Sequence, residues 1–290
     1  MSVTWHGAEP PPPRPLGPME GLRLLSRGAL ILSILAICFP LLLLLRLPER
    51  AIWGLRRPVT PWITQAVCIA TCRILGLRRR VHGTVFTGEG AFTANHSTWL
   101  DIFVLNACTR LYFVAKDDVH AWPGIGWLAR ATGTLFISRD RRKAAEQARA
   151  MEDRLIAGHK LLLFPEGTCS DGRRVLPFRS TLFQSFFSNR LRDDLHVQPI
   201  SVIYHPPPGL PPQYFGWWGD MAFGPNLIQM LGGPGGGHVD VVFHTAQPVR
   251  AFEGRKILAD TIERQTRQGF QAFDLYQENK AEGGEAKALS

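Results

Sequence analysis

Between residues 81 and 164 the chain alternates between short runs suited to buried strands and segments with helical spacing, and this rhythm limits the possible folds more than any other feature. Residues 81–85 and 91–94 read as strands, with a helix after His96. Residues 111–115 read as a strand, 122–131 as a short helix and 135–137 as another strand. Asp140 is placed to cap a helix reaching Ala157, on which Ala144, Ala148, Met151 and Leu155 share one face. Residues 160–164 complete the series as a strand. Strands alternating with helices in this way predict an α/β layered domain with a largely parallel central sheet. Downstream, 181–187 reads as a short helix, 198–204 and 239–243 as strands, and 252–273 as a helix. Binding sites in open α/β sheets gather at strand ends. His96, Arg139 and Glu166 each follow a strand-like run, so one edge of the sheet is the expected site.

The segments before this domain have a different character. Residues 1–18 are rich in proline and are expected to be disordered. From Ala29 to Leu45 every residue but Ser33 and Pro40 is strongly apolar, about 17 residues or roughly 25 Å as helix. Arg27 and Arg46 flank the run, and no small-residue cleavage site follows it, so an uncleaved anchor is expected. Pro40 leaves both a spanning and a kinked, re-entrant form open. Thr60-Pro61 is a good helix start, and the apolar segment after it, to Leu77, reads either as an interfacial helix or as a core helix. The expected organisation is a disordered segment at 1–18, a membrane-associated helical region at 19–79, a globular domain at 80–277 and a disordered tail at 278–290.

Charge narrows the partners. The chain carries a formal net charge of +9, and arginines cluster beside the apolar segments at Arg46, Arg50, Arg56, Arg57, Arg78, Arg79 and Arg80. That placement suits a membrane surface or an acidic protein partner. No zinc-finger or RNA-binding signature is present, and nucleic acid is not expected. The arginine excess after Leu45 favours a cytoplasmic face for the globular domain. Five cysteines without a C-x-x-C pair indicate a reducing compartment and no disulfide framework. Cys169 carries no sign of an activated thiol. The histidines outside position 96 show no metal-ligand spacing, and no metal is expected.

The stretch Asn95-His96-Ser97-Thr98-Trp99-Leu100-Asp101 carries the chemistry. On one ideal helix His96 and Asp101 would point about 140° apart. They can meet only if His96 precedes the helix and Asp101 lies in its first turns, with Ser97 or Thr98 as the cap. Asp101 would then hold one ring nitrogen of His96 and leave the other as a base. The alternative is a histidine ending a strand and an aspartate favoured by the helix dipole. A second stretch, Leu161-Leu162-Leu163-Phe164-Pro165-Glu166-Gly167-Thr168, reads as a buried strand ending in a tight polar turn.

Together these stretches resemble the glycerolipid acyltransferase family, with its N-H-x4-D and F-P-E-G-T motifs. Residues 133–139, Gly-Thr-Leu-Phe-Ile-Ser-Arg, are similar to the family's G-x-x-F-I-x-R, and Val197-Gln198-Pro199-Ile200 to its V-x-P-I block. The four motifs fall in order across residues 80–205. The resemblance implies a glycerol-3-phosphate acyltransferase-like fold and a membrane enzyme that moves a fatty acyl group from an acyl-thioester to the hydroxyl of a lyso-lipid. Acyl carrier protein or coenzyme A would bring the acyl group as co-substrate, with no resident cofactor. It implies His96 and Asp101 as the catalytic pair, Arg139 as ligand to the acceptor's anionic headgroup, and Glu166, Gly167 and Thr168 as acceptor-binding residues. Lys116 fits a family pattern of a basic residue near the site, and also a lysine lying along an edge strand.

One departure separates this chain from the commoner members. They place a basic residue straight after E-G-T and a lysine-glycine pair after P-F, where this chain has Cys169 and Arg179-Ser180. With Gly219-Asp220-Met221 downstream, the chain looks more like the bacterial branch that acylates lyso-ornithine lipid, some members of which also take lysophosphatidic acid. That implies the bacterial inner membrane. There is no G-x-S-x-G nucleophile elbow, which favours direct transfer without an acyl-enzyme. Two rival functions remain at this level: a lipid hydrolase using the same pair on water, and a non-enzymatic membrane adaptor.

Overall fold

The computed structural model describes residues 4–12, 15–88, 90–122, 124–138 and 140–288, with the side chains of residue 141 and of residues 275–288 outside the description. The strands are β1 (Arg78–Gly83), β2 (Gly90–Ala94), β3 (Tyr112–Lys116), β4 (Leu135–Ile137), β5 (Leu161–Leu163), β6 (His196–His205), β7 (His238–Phe243) and β8 (Gln247–Pro248). They form one sheet in the order β1-β7-β6-β2-β5-β3-β4, with β8 against β6. Neighbours among β6, β2, β5, β3 and β4 are all parallel, whereas β7 runs antiparallel to β6. The carboxyl ends of β2, β5, β3, β4 and β6 therefore share one edge, as the alternating pattern predicts. β2 is buried along its whole length, which explains why its sequence, Gly-Ala-Phe-Thr-Ala, shows no polar face.

Helices cover both faces: α1 (Pro18–Trp53), α2 (Thr60–Ile74), α3 (Leu100–Cys108), α4 (Ile125–Thr132), α5 (Ala144–Ile156), α6 (Phe223–Gly232) and α7 (Arg255–Ala288). On one side Cys68, Cys72, Val104 and Leu105 pack on Phe92, Ile200 and Val202. On the other, Met151, Leu155, Leu258 and Ile262 pack on Leu161, Val197 and Ile203. α2 is thus docked into the core through its two cysteines, while Trp62 on its other side stays exposed. All five cysteines are unpaired.

Three segments differ from the sequence reading. α1 is twice as long as the apolar run implies, and continues unbroken past Pro40 and Pro48. It is long and apolar enough to cross a membrane, and Leu25, Leu32, Ile37, Leu44 and Leu47 are exposed. It is also fixed to the domain at both ends. Arg27 donates to the carbonyls of Leu231 and Gly233, and the buried Glu49 carboxylate accepts from the N–H groups of Val59 and Thr60 and from the Thr60 hydroxyl. Glu49, not Thr60, therefore caps α2. Second, residues 4–12, expected to be disordered, lie against the domain. The Trp218 indole donates to the Ala8 carbonyl at 2.9 Å, and the Trp5 N–H donates to the Thr168 hydroxyl at 3.3 Å. Third, α7 runs on through Ala288, beyond the expected end at Phe273.

Candidate active site

Asn95 continues β2 with its side chain: its amide donates to the Val202 carbonyl at 2.9 Å and its oxygen accepts the Val202 N–H at 2.8 Å. The carboxamide stands in for one rung of the ladder to β6, so the backbone can leave the sheet at His96. Thr98 Oγ1 accepts the Leu100 N–H at 3.4 Å, a long form of the expected cap, and Asp101 reaches back over the same turn. Its Oδ2 accepts the N–H groups of Ser97 and Thr98 at 2.9 and 3.2 Å and the Nδ1–H of His96 at 2.7 Å. Its Oδ1 accepts the Tyr204 hydroxyl at 2.8 Å. Four donors hold a carboxylate with no solvent exposure. The tight loop supplies the turn that an uninterrupted helix would have denied the pair.

The imidazole is fixed in plane as well. It stacks on Phe164 at 3.9 Å between centroids and 13° between planes. With Nδ1 bound to Asp101, Nε2 is the nitrogen left for chemistry. Burial opposes a charge on His96. The Cys169 sulfur and the Asp101 carboxylate beside the ring outweigh that effect, and its pKa is raised above the ordinary histidine value.

The Phe-Pro-Glu-Gly-Thr turn meets this loop from β5. Glu166 is buried, and both of its oxygens are engaged by backbone: Oε2 by the His96 N–H at 3.3 Å, Oε1 by the Leu176 N–H at 3.0 Å. Burial pushes its carboxyl up to about 8 against the pull of these donors and of His96. The His96 carbonyl in turn accepts the Ser170 N–H at 2.8 Å. The two motifs are therefore bolted together through main chain. Gly167 adopts φ +68°, and a Cβ there would come within 3.1 Å of the Arg179 guanidinium. Arg179 thus lies over the turn, half-buried, and no carboxylate pairs with it among the described residues. Thr168 borders the turn and receives the Trp5 N–H.

Of the expected site residues, His96, Asp101, Glu166, Gly167 and Thr168 converge at the carboxyl ends of β2 and β5. Lys116 ends β3 on the same edge, opposite Ile137 of β4. Arg139 lies outside the described residues. Sequence reasoning missed Tyr204, which holds Asp101 from a strand 103 positions away. It also passed over Arg179, whose place at the turn depends on a loop path that no motif spacing encodes. The N–H groups of Ser97 and Thr98 are committed to Asp101 and so are not free to stabilise a developing oxyanion. Beside the pair, half-buried Trp99, Trp122, Trp217 and Phe223 meet in edge-to-face and tilted contacts, with ring centroids 5.6 to 6.0 Å apart. The aromatic-dense stretch after Pro212 is accordingly packed, with Tyr214, Phe215 and Trp218 buried.

A crystal structure of the 1-acyl-sn-glycerophosphate acyltransferase from Thermotoga maritima superposes with a TM-score of 0.60 at 18% identity, covering 87% of this chain and 95% of that one. The chain belongs to the acyltransferase family: the family's sequence profile matches residues 78–203. It is 48% identical over 265 residues to a lyso-ornithine lipid O-acyltransferase of Rhodobacter capsulatus, covering 91% of this chain and 96% of the relative. A lyso-ornithine lipid O-acyltransferase of Rhizobium meliloti is 35% identical over 211 residues, covering 69% of this chain and 72% of the relative. A 1-acyl-sn-glycerol-3-phosphate acyltransferase of Neisseria gonorrhoeae is 41% identical over 93 residues, covering 32% of this chain and 36% of the relative.

Proposed function

We propose that this acyltransferase moves a fatty acyl group from an acyl-thioester to the free hydroxyl of lyso-ornithine lipid, and secondarily of 1-acylglycerol-3-phosphate. His96 Nε2 takes the hydroxyl proton as the acceptor oxygen attacks the thioester carbonyl. Asp101 holds the ring and stabilises the imidazolium that develops. The tetrahedral intermediate collapses, the carbon–sulfur bond breaks, and the departing sulfur takes the proton from His96. The observation that carries this reading is the 2.7 Å bond from His96 Nδ1 to a carboxylate that three other donors immobilise.

The acceptor's anionic group meets Arg139, as the family resemblance implies. It also meets Arg179 above Gly167, because a guanidinium pairs with carboxylate or phosphate through two parallel bonds. The half-buried cluster of Trp99, Trp122, Trp217 and Phe223 offers the acyl chain an apolar wall next to the pair. α1 anchors the enzyme in the bacterial inner membrane with the sheet edge on the cytoplasmic face, where acyl carrier protein or coenzyme A thioesters are available. The exposed arginines beside the anchor, Arg50 and Arg56, suit the acidic carrier protein as donor.

The test is a panel of lyso-ornithine lipid and lysophosphatidic acid, each with acyl carrier protein and coenzyme A donors, using enzyme purified in detergent. Transfer with the highest kcat/KM for lyso-ornithine lipid is expected. Release of free fatty acid from the lyso-lipid without any donor would establish the hydrolase instead. Folded protein with no transfer to either acceptor would contradict the proposal.

A further inference from the structure

A second cluster of ionisable side chains sits away from the catalytic pair, on the face of the sheet covered by α7. β6 and β7 run antiparallel with His205 opposite His238 and Ile203 opposite Asp240. β1 runs parallel to β7 with His82 opposite Val242. Residues two apart on a strand share a face, so His82, His205, His238 and Asp240 meet on one side of three adjacent strands. The Phe273 ring of α7 lies 4.4 Å from the His82 ring on that side.

Their contacts are unlike those of an ordinary ion pair. Asp240 is 1% exposed, and its Oδ1 accepts the Nε2–H of His82 at 2.8 Å. Its Oδ2 lies 2.9 Å from His205 Nε2 and 3.7 Å from His238 Nε2. The 2.9 Å approach lacks the alignment of a hydrogen bond: Asp240 Oδ2 and His205 Nε2 are both buried with no hydrogen-bond partner among the described residues. The rings of His205 and His238 stack at 4.4 Å and 15°, so one ring must turn out of the stack for both in-plane lone pairs to face a single ion. The three ligand-type atoms all fall within 4.8 Å of one another.

We propose that His205 Nε2, His238 Nε2 and Asp240 Oδ2 hold one divalent transition-metal ion of the zinc class, with water completing the shell. Donors about 2.1 Å from one tetrahedral ion lie about 3.4 Å apart. The observed separations of 2.9 and 3.7 Å bracket that value. Two imidazoles and one carboxylate match a borderline-soft ion and not magnesium or calcium. His82 fills the outer position usual for a ligating carboxylate, donating to its second oxygen. The positive charge of the ion also answers a buried carboxylate that otherwise meets only imidazoles. The expectation of no metal rested on sequence spacing. Here the ligands come together through antiparallel register, which spacing does not reveal.

The ion is structural. His205 follows Tyr204 on β6, and alternation turns the two side chains to opposite faces. Tyr204 holds Asp101 on one face while the metal would fasten the same strand end on the other. The proposal is independent of which lipid the enzyme acylates.

The experiment uses the full-length chain without an affinity tag, purified in detergent, stripped with a chelator and titrated with Co²⁺, then with Zn²⁺. One equivalent of Co²⁺ with the visible absorption of a low-coordinate nitrogen–oxygen site is expected, displaced by Zn²⁺, together with a rise in Tm. His205→Gln and His238→Gln are expected to lose the uptake, and His82→Phe to weaken it about tenfold. Absence of saturable uptake by the unaltered chain overturns the site, as does equal uptake by the two glutamine variants. If those variants do not fold, X-ray absorption on the Zn²⁺-loaded unaltered chain decides. A shell of two imidazoles with oxygen donors is expected, and a shell with no imidazole, or with sulfur, overturns the proposal.

Discussion

Asp101 illustrates how one side chain can set both a local backbone path and a reaction. Its Oδ2 shapes the loop through two N–H groups and orients His96, while Oδ1 ties the arrangement to β6. Asp101→Asn keeps the size but presents the ring with a mixed donor and acceptor, so a loss in kcat of about 10⁴-fold is expected. His96→Ala should cost about 10²–10⁴-fold with Tm little changed, measured as acyl transfer to the lyso-lipid. The pH profile follows from the raised His96 pKa. The base must be neutral to act, so activity increases as pH rises through that pKa. The ascending limb of kcat/KM should then lie above the unperturbed value of about 6.5. Asp101→Asn removes a charge that favours the imidazolium and should move the limb to lower pH. Arg179→Ala should raise the acceptor KM with kcat and the donor KM nearly unchanged, and Arg179→Lys should recover part of the loss. An effect limited to the donor would contradict its assignment.

At the scale of elements, the site depends on two loops joined by a buried carboxylate. Glu166→Ala would leave the N–H groups of His96 and Leu176 unanswered, at a cost of about 1–3 kcal/mol. A drop in Tm accompanied by a drop in kcat is expected, because the brace sits on the His96 backbone itself. The strands, their order of appearance and the meeting of His96 with Asp101 were legible in the sequence, since periodicity and a five-residue offset admit few geometries. Which strands become neighbours was not. Tyr204 meets Asp101 across 103 positions, and His82 on β1 meets His205, His238 and Asp240 on β6 and β7 through register, which leaves no local signature. The segment at residues 4–12 escaped for another reason. Its proline-rich composition argues against a packed core of its own, yet it needs none, since Trp5 and Ala8 dock on a surface formed elsewhere. Trp5 also places its ring 5.3 Å from the Arg174 guanidinium.

For the whole molecule, the decisive relation is between α1 and the sheet. Leu25, Leu32, Leu44 and Leu47 face outward, while Arg27 and Glu49 clasp the domain at either end. With the outward leucines of α1 in the lipid, the protein should remain in the pellet after a high-salt wash of membranes, and release by salt alone would exclude an apolar anchor. Because two clasps, and not a slack tether, join α1 to the domain, α1 seated in lipid would hold the strand-end edge at one depth and one tilt relative to the lipid plane. Acceptors would then arrive by lateral diffusion, tails still in their leaflet, and turnover would follow their density in two dimensions. Diluting the acceptor with inert lipid at constant bulk concentration should slow the enzyme, whereas adding more vesicles of the same composition should not.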